Sequence, residues 1–142
     1  MNKIIYIYTD GACRGNPGPG GWGALLECEG YKKEIKGASQ LTTNNIMELK
    51  AVIESLKLIK NPSKIIVTTD STYVKNGINE WIHSWKLRDW KTANKKPVKN
   101  KELWQELDSL TTEHEIDWQW VRGLRWFHME FFRTWIGQII FP

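Results

Sequence analysis

Three carboxylates stand where the segments around them can bring them together. Asp10 closes the β-branched and aromatic run of residues 3–9, Asp70 closes a second such run over residues 64–69, and Glu48 lies near the start of the apolar-periodic segment between the two. If the two runs are parallel neighbouring strands, both Asp side chains emerge at one sheet edge, the usual ligand position in an open α/β sheet. At ~100° per residue, Glu48 falls at the border of the helix's apolar stripe, where it can lean toward that edge. Three carboxylates within a few ångströms repel one another and force protons on, a conflict that a divalent cation relieves. All-oxygen donors without His or Cys favour Mg²⁺, with Mn²⁺ as substitute, over Zn²⁺. Mg²⁺ on a few carboxylates suits phosphodiester hydrolysis. Each residue also has a plainer use: an Asp after a strand serves turns, and Glu48, three residues after Asn45, fits a capping box.

The elements that must position these groups can be read from patterning. Residues 3–9, 22–28 and 31–38 read as strands joined by short links, an antiparallel meander, with a Gly/Pro-rich loop over 11–21. Apolar residues then recur at Ile46, Leu49, Val52, Ile53, Leu56 and Ile59, one helix face, after the cap-forming run Thr42, Thr43, Asn44, Asn45. The helix stops before Asn61-Pro62. Residues 64–69 follow as a strand made parallel to the first by a right-handed crossover. Residues 71–88 read as helix with a break at Gly77, 89–100 as a loop, 101–113 as a helix and 114–121 as a last, alternating strand. The fold class is α/β with a mixed five-stranded sheet. No linker, repeat or low-complexity segment divides the 142 residues, so one domain is expected.

Charge is concentrated. Residues 81–101 carry seven cations and one anion, a net +6, against +4 for the whole chain. Trp81, Trp85 and Trp90 are interleaved with Lys86 and Arg88. Cations neutralise phosphates and indole faces pack on sugars or bases, so the segment reads as a nucleic-acid contact. The alternative is a solvated helix and loop whose tryptophans close the core. The loop Gly15-Asn16-Pro17-Gly18 and the run from Thr42 to Asn45 flank the carboxylates and offer short polar groups, fit for sugar hydroxyls and phosphates or for ordinary turns and caps.

Composition excludes other classes. Hydrophobic content of 41% and charged content of 25% are ordinary for a globular chain, and about two-thirds of the unfolded surface can be buried at this length. No run approaches the ~20 apolar residues of a membrane span. The N-terminal stretch reads as a strand and not as a signal peptide. Cys13 and Cys28 form no zinc or disulfide pattern, which points to a reducing, cytoplasmic setting.

The motifs YTDGACRGNPGPGGWGA at 8–24, TTNNIMELKAV at 42–52, the stretch 68–108 beginning TTDSTYVKNG, and WQWVRG at 118–123 resemble bacterial ribonuclease HI, in order and at that family's spacing. The resemblance covers about residues 1–123. It implies a three-layer ribonuclease H-like fold and a monomeric endonuclease that hydrolyses the RNA strand of an RNA–DNA hybrid with two Mg²⁺ ions, leaving a 5′-phosphate. It implies that Asp10, Glu48 and Asp70 are three of four metal-binding carboxylates, and that Asn16, Thr43, Asn44 and Asn45 contact the hybrid. Trp81, Trp85, Lys86, Arg88 and Trp90 fall in the basic protrusion, 81–101, that grips the DNA strand. Thr72 stands where the family has a glutamine that contacts the minor groove.

After Gly123 the likeness stops. Leu124 stands in place of the family's loop His and Thr134 near its fourth catalytic Asp, and the only carboxylate beyond Asp117 is Glu130. Eleven of residues 124–142 are apolar or aromatic. An abrupt change behind intact motifs is the pattern of a reading-frame shift near codon 124, which the nucleotide sequence would decide. Two expectations follow for function: a ribonuclease H impaired by the lost carboxylate, or a catalytically inactive hybrid- or duplex-binding module. The helical spacing of Leu124, Phe127, Phe131, Thr134 and Trp135 predicts a helix, and its aromatic surface is expected to dock poorly and promote association.

Overall fold

The computed structural model of the chain describes residues 3–122 and 126–140, without the side chains of 126–128, 139 and 140. Strands β1 (Ile4–Cys13), β2 (Gly18–Cys28) and β3 (Tyr31–Thr42) form an antiparallel meander. Helix α1 (Asn44–Lys57) crosses over to β4 (Lys64–Thr69), which lies parallel to β1, and β5 (Glu115–Trp120) adds parallel to β4. The sheet order is β3-β2-β1-β4-β5. Between β4 and β5 run α2 (Thr72–Asn76), a π turn (Gly77–Trp81), α3 (Ile82–Leu87) and α4 (Lys101–Thr111). Helix α5 (Trp126–Ile140) follows, with a non-helical residue at Met129.

Several boundaries differ from expectation, among them β3, which runs on past residue 38 to Thr42. β1 does not stop at Asp10 but runs on to Cys13, and β2 begins at Gly18, so most of the expected 11–21 loop is hairpin. Cross-strand pairing of Ala12 with Gly21 and Cys13 with Gly20 overrides the loop-forming composition, because small residues pair backbone to backbone without obstruction. The break expected at Gly77 takes the form of a change of helix type: α2 ends at Asn76 and a π turn begins at Gly77. The chain passes through it with φ −62°, and the irregularity is taken up as one π turn.

The layers follow from strand alternation. Ile7 on β1 and Ile65 and Val67 on β4 point to one face, where they meet Leu49, Val52, Ile53 and Leu56 of α1 and Trp104 and Leu107 of α4. The opposite face carries Tyr8, Ala12 and Leu25, covered by Met129, Phe132 and Ile136 of α5. Helices thus lie on both sides of the sheet, the expected three layers. The expectation of a poorly docked tail is overturned for these side chains, since Met129 and Phe132 are fully buried. The docking face differs from the one expected: Phe131 and Trp135 flank it, Thr134 is exposed, and Leu124 and the Phe127 side chain lie outside the described residues.

Phe132 seats this helix. A Cβ on Gly23 would lie 2.4 Å from its ring, so β2 admits the ring only because position 23 is glycine. Phe132→Ala is expected to cost about 3–5 kcal/mol in a urea unfolding titration. A cost below about 1 kcal/mol would show that α5 is not packed on the sheet.

Candidate active site

Parallel pairing of β1 and β4 sets the first two carboxylates side by side. The ladder runs through Thr9 opposite Thr69; Asp10 is the next residue of β1 and Asp70 the first residue beyond β4. By alternation Asp10 shares a face with Tyr8 and Ala12, while Thr9 and Gly11 face α1. Asp10 Oδ1 accepts a hydrogen bond from the Gly11 backbone N–H at 2.8 Å. The Trp120 indole N–H donates to the Asp70 backbone carbonyl at 3.1 Å, fixing that strand end, and Lys75 Nζ lies 4.5 Å from the centre of the same indole.

Glu48 is brought in by a close approach of helix to strand. A Cβ on Gly11 would come within 2.7 Å of the Glu48 nitrogen and the Met47 carbonyl carbon, so only glycine lets α1 lie this close to β1. The helix begins at the cap the run of polar residues suggested, but the capping residue is Thr43, whose Oγ1 accepts from the Ile46 N–H at 3.2 Å. Glu48 is therefore too far along the helix to close a capping box, and that alternative falls. Its carboxylate instead accepts a short hydrogen bond from the Ser71 hydroxyl. Ser71 also caps α2, its Oγ accepting from the Val74 N–H at 3.0 Å, and its own N–H donates to Thr69 Oγ1 at 3.1 Å. One serine thus ties the third carboxylate to the helix that follows Asp70. Sequence reasoning passed over Ser71. The signal was there: a serine directly after Asp70 and before a helical run is an N-cap pattern.

The electrostatics show how near these groups are. The Asp10 carboxyl is pushed up to about 7, first by burial and next by the charge of Asp70, with Glu48 adding to it. The Gly11 N–H and the Arg133 guanidinium pull the other way. Glu48 is likewise raised, chiefly by burial and also by Asp70, against the Ser71 hydrogen bond. Among the described residues no three His, Cys, Asp or Glu side chains are drawn into a single coordination group. The fold supplies neighbouring, mutually repelling carboxylates, with one Glu48 oxygen engaged by Ser71.

The other expected contact residues divide. Asn16 Oδ1 accepts from the Asn44 N–H at 2.9 Å, joining the β1–β2 turn to the start of α1. Asn16 and Asn44 are exposed, Thr43 and Asn45 half-buried. The tryptophans are shared with the core: Tyr73, Trp81, Trp85 and Trp90 form a chain of rings with centroids 5.7, 5.9 and 6.1 Å apart, and Trp104 closes it from below. Lys86 is engaged by Asp108 at 2.8 Å. Arg88 is exposed and lines a shallow basic depression with Lys91 and Lys95.

Because the folded Asp10 carboxyl binds its proton more tightly than the unfolded chain does, folding takes up a proton between pH 3.8 and about 7, and stability falls as pH rises through that window. Asp10→Asn keeps the Gly11 hydrogen bond and removes the charge. Its melting temperature without divalent ions is expected to match the parent near pH 4 and to exceed it by on the order of 10 °C above pH 7. An equal difference at both pH values would contradict the coupling.

Comparison with known proteins identifies the family and the fold. The RNase H family model matches residues 2–125. The chain is 58% identical over 123 residues to a ribonuclease H of Nitrosospira multiformis, covering 87% of this chain and 79% of that one. Among solved structures it is similar to LC9-RNase H1, a type 1 RNase H with the type 2 active-site motif, with TM-score 0.76 and 32% identity over 87% of this chain and 64% of that one. It is also similar to LC11-RNase H1 in complex with an RNA/DNA hybrid, with TM-score 0.56 and 25% identity over 95% of this chain and 90% of that one. With strand order and matched sequence in agreement, the chain belongs to the RNase H family.

Proposed function

We propose that this chain is a ribonuclease H, acting in the cytoplasm as a monomer on RNA–DNA hybrids. It hydrolyses the RNA strand with Mg²⁺ or Mn²⁺ held by Asp10, Glu48 and Asp70. The observation that carries the reading is the charge conflict between three carboxylates delivered by β1, α1 and β4. Burial and like charge force the Asp10 carboxyl up to about 7, a state that a divalent cation relieves. The donor set is all oxygen, which fits a hard cation and not zinc. A bound Mg²⁺ supplies Lewis acidity at a phosphodiester. The protein's own part is to hold the carboxylates close: Gly11 admits α1, Ser71 orients Glu48, and Trp120 fixes the backbone at Asp70. With its carboxyl raised to about 7, Asp10 would release its proton on binding a divalent cation near neutral pH.

The hybrid lies, on this reading, across the carboxylate edge and the basic protrusion of residues 81–101. Asn16, Thr43, Asn44 and Asn45 serve the RNA side, and Arg88 with Lys91 and Lys95 the DNA side. Trp81, Trp85 and Trp90 stiffen the protrusion more than they stack on bases, since their rings pack on one another and on Trp104. With Leu124 and Thr134 in place of a His and an Asp, turnover is impaired while hybrid binding is retained. The inactive binding module is the limit of the same argument.

Incubation with a labelled hybrid and Mg²⁺ is expected to give cleavage slower than about 1 s⁻¹. Asp10→Asn abolishes it and leaves hybrid affinity equal or slightly higher, because a negative charge beside phosphate is gone. Cleavage that survives Asp10→Asn would overturn the assignment.

Arg88→Ala is expected to weaken hybrid binding severalfold and to reduce the salt slope by about one. Lys86→Ala has a smaller effect, because Asp108 already holds that ammonium. Equal losses for the two, read by fluorescence anisotropy across salt, would place Lys86 on the nucleic acid.

A further inference from the structure

Helix α5 lies on the same side of the sheet as Asp10. Tyr8 and Ala12, the residues two before and two after Asp10, both pack against the α5 cluster, so the alternation of β1 points Asp10 into that layer. Gly23 is the direct cross-strand partner of Asp10. The Phe132 ring rests on Gly23, with Cδ1, Cγ and Cβ all within 3.2 Å of where a Cβ would stand. Phe132 is buried, and the next residue, Arg133, is exposed. The helix is thus anchored over the Asp10–Gly23 pair, with a guanidinium at the following position. In keeping with this, Arg133 lowers the Asp10 carboxyl against burial and Asp70. Where the family resemblance led us to expect an anion, the neighbouring position 134 carries Thr134.

We propose that Arg133 is a built-in cation of the carboxylate cluster, a positioning residue that partners Asp10 and competes there with a divalent metal ion. The proposal rests on the reading of Asp10, Glu48 and Asp70 as the cation site. It adds that α5 sets a positive charge beside the position where the resemblance implied a metal ligand, so that the chain holds Mg²⁺ more weakly than its carboxylates alone would. A cation on the helix packed over a carboxylate, in surroundings of intermediate dielectric, is worth a severalfold change in that carboxylate's cation affinity. Arg133 is exposed, so its replacement leaves the core of α5 intact.

The test uses the full chain in four forms: parent, Arg133→Ala, Asp10→Asn and the double variant, with Arg133→Lys as the conservative control. Thermal unfolding without divalent ions forms a double-mutant cycle. Arg133→Ala is expected to lower the melting temperature by about 2 °C on the parent background and to leave Asp10→Asn unchanged. Mg²⁺ is then titrated by NMR on the Gly11 amide, which donates to Asp10. Arg133→Ala is expected to bind Mg²⁺ about fivefold more tightly than the parent, Arg133→Lys to match the parent, and the difference to shrink in 1 M monovalent salt. Additive melting shifts, or an Mg²⁺ affinity unmoved by Arg133→Ala while Asp10→Asn abolishes binding, overturn the proposal and leave the carboxylate site standing. Asp10→Asn binding Mg²⁺ as the parent does overturns the site itself, and the competition with it.

Discussion

Everything in this molecule turns on keeping Asp10 beside Asp70. Two carboxylates of like charge, half-buried at adjacent strand positions, are held there by the β1–β4 ladder, whose hydrogen bonds and apolar back face outweigh the repulsion. The back face is Ile7, Ile65 and Val67 pressed on the apolar side of α1, and burial of such side chains contributes about 1.5–3 kcal/mol each. The cost appears as a proton held on Asp10 well above the ordinary carboxylate range. Core and site are therefore one device: the packing that stabilises the sheet is what enforces the electrostatic conflict at its edge.

The approach of α1 adds the third charge and shows how little separates support from chemistry. Gly11 is the residue after Asp10, and its missing side chain lets the Met47–Glu48 backbone come into van der Waals range of β1. Ser71, the residue after Asp70, caps α2 and holds Glu48. At each strand end the residue that bears charge is followed by one that positions a neighbour. Neither positioning residue has chemistry of its own, which is why composition and charge do not draw attention to them.

Much of this was legible beforehand. The crossover β1–α1–β4, the five-stranded mixed sheet and the cap near Thr43 follow from periodicity and from Asn61-Pro62, and the placing of Asp10 beside Asp70 follows from the crossover rule. Strand ends were less legible, because Gly11, Gly20 and Gly21 carry turn signals that long-range pairing overrides. At Gly77 the expected break is a change from α to π geometry and not an interruption of the right-handed path. In the protrusion, sequence could count the cations but not assign them. That Lys86 belongs to Asp108 depends on α4 folding back beside α3, a contact 22 residues distant in sequence.

Helix α5 separates two things that sequence comparison tends to merge. Docking on the sheet requires only apolar side chains at helical spacing, and Met129, Phe132 and Ile136 meet that requirement against the small residues of β2. The chemistry of the layer is set by whichever polar residues fall between them, and packing places no demand on their sign. A tail rich in aromatic and apolar residues can therefore restore the third layer without restoring a carboxylate, and here it sets an arginine next to the anchoring ring. The fold tolerates that exchange because Arg133 is exposed and Phe132 bears the contact. On the proposed reading the site is the part that pays, since a positive charge beside Asp10 meets the carboxylate's demand for a counter-charge without offering Lewis acidity to a phosphate.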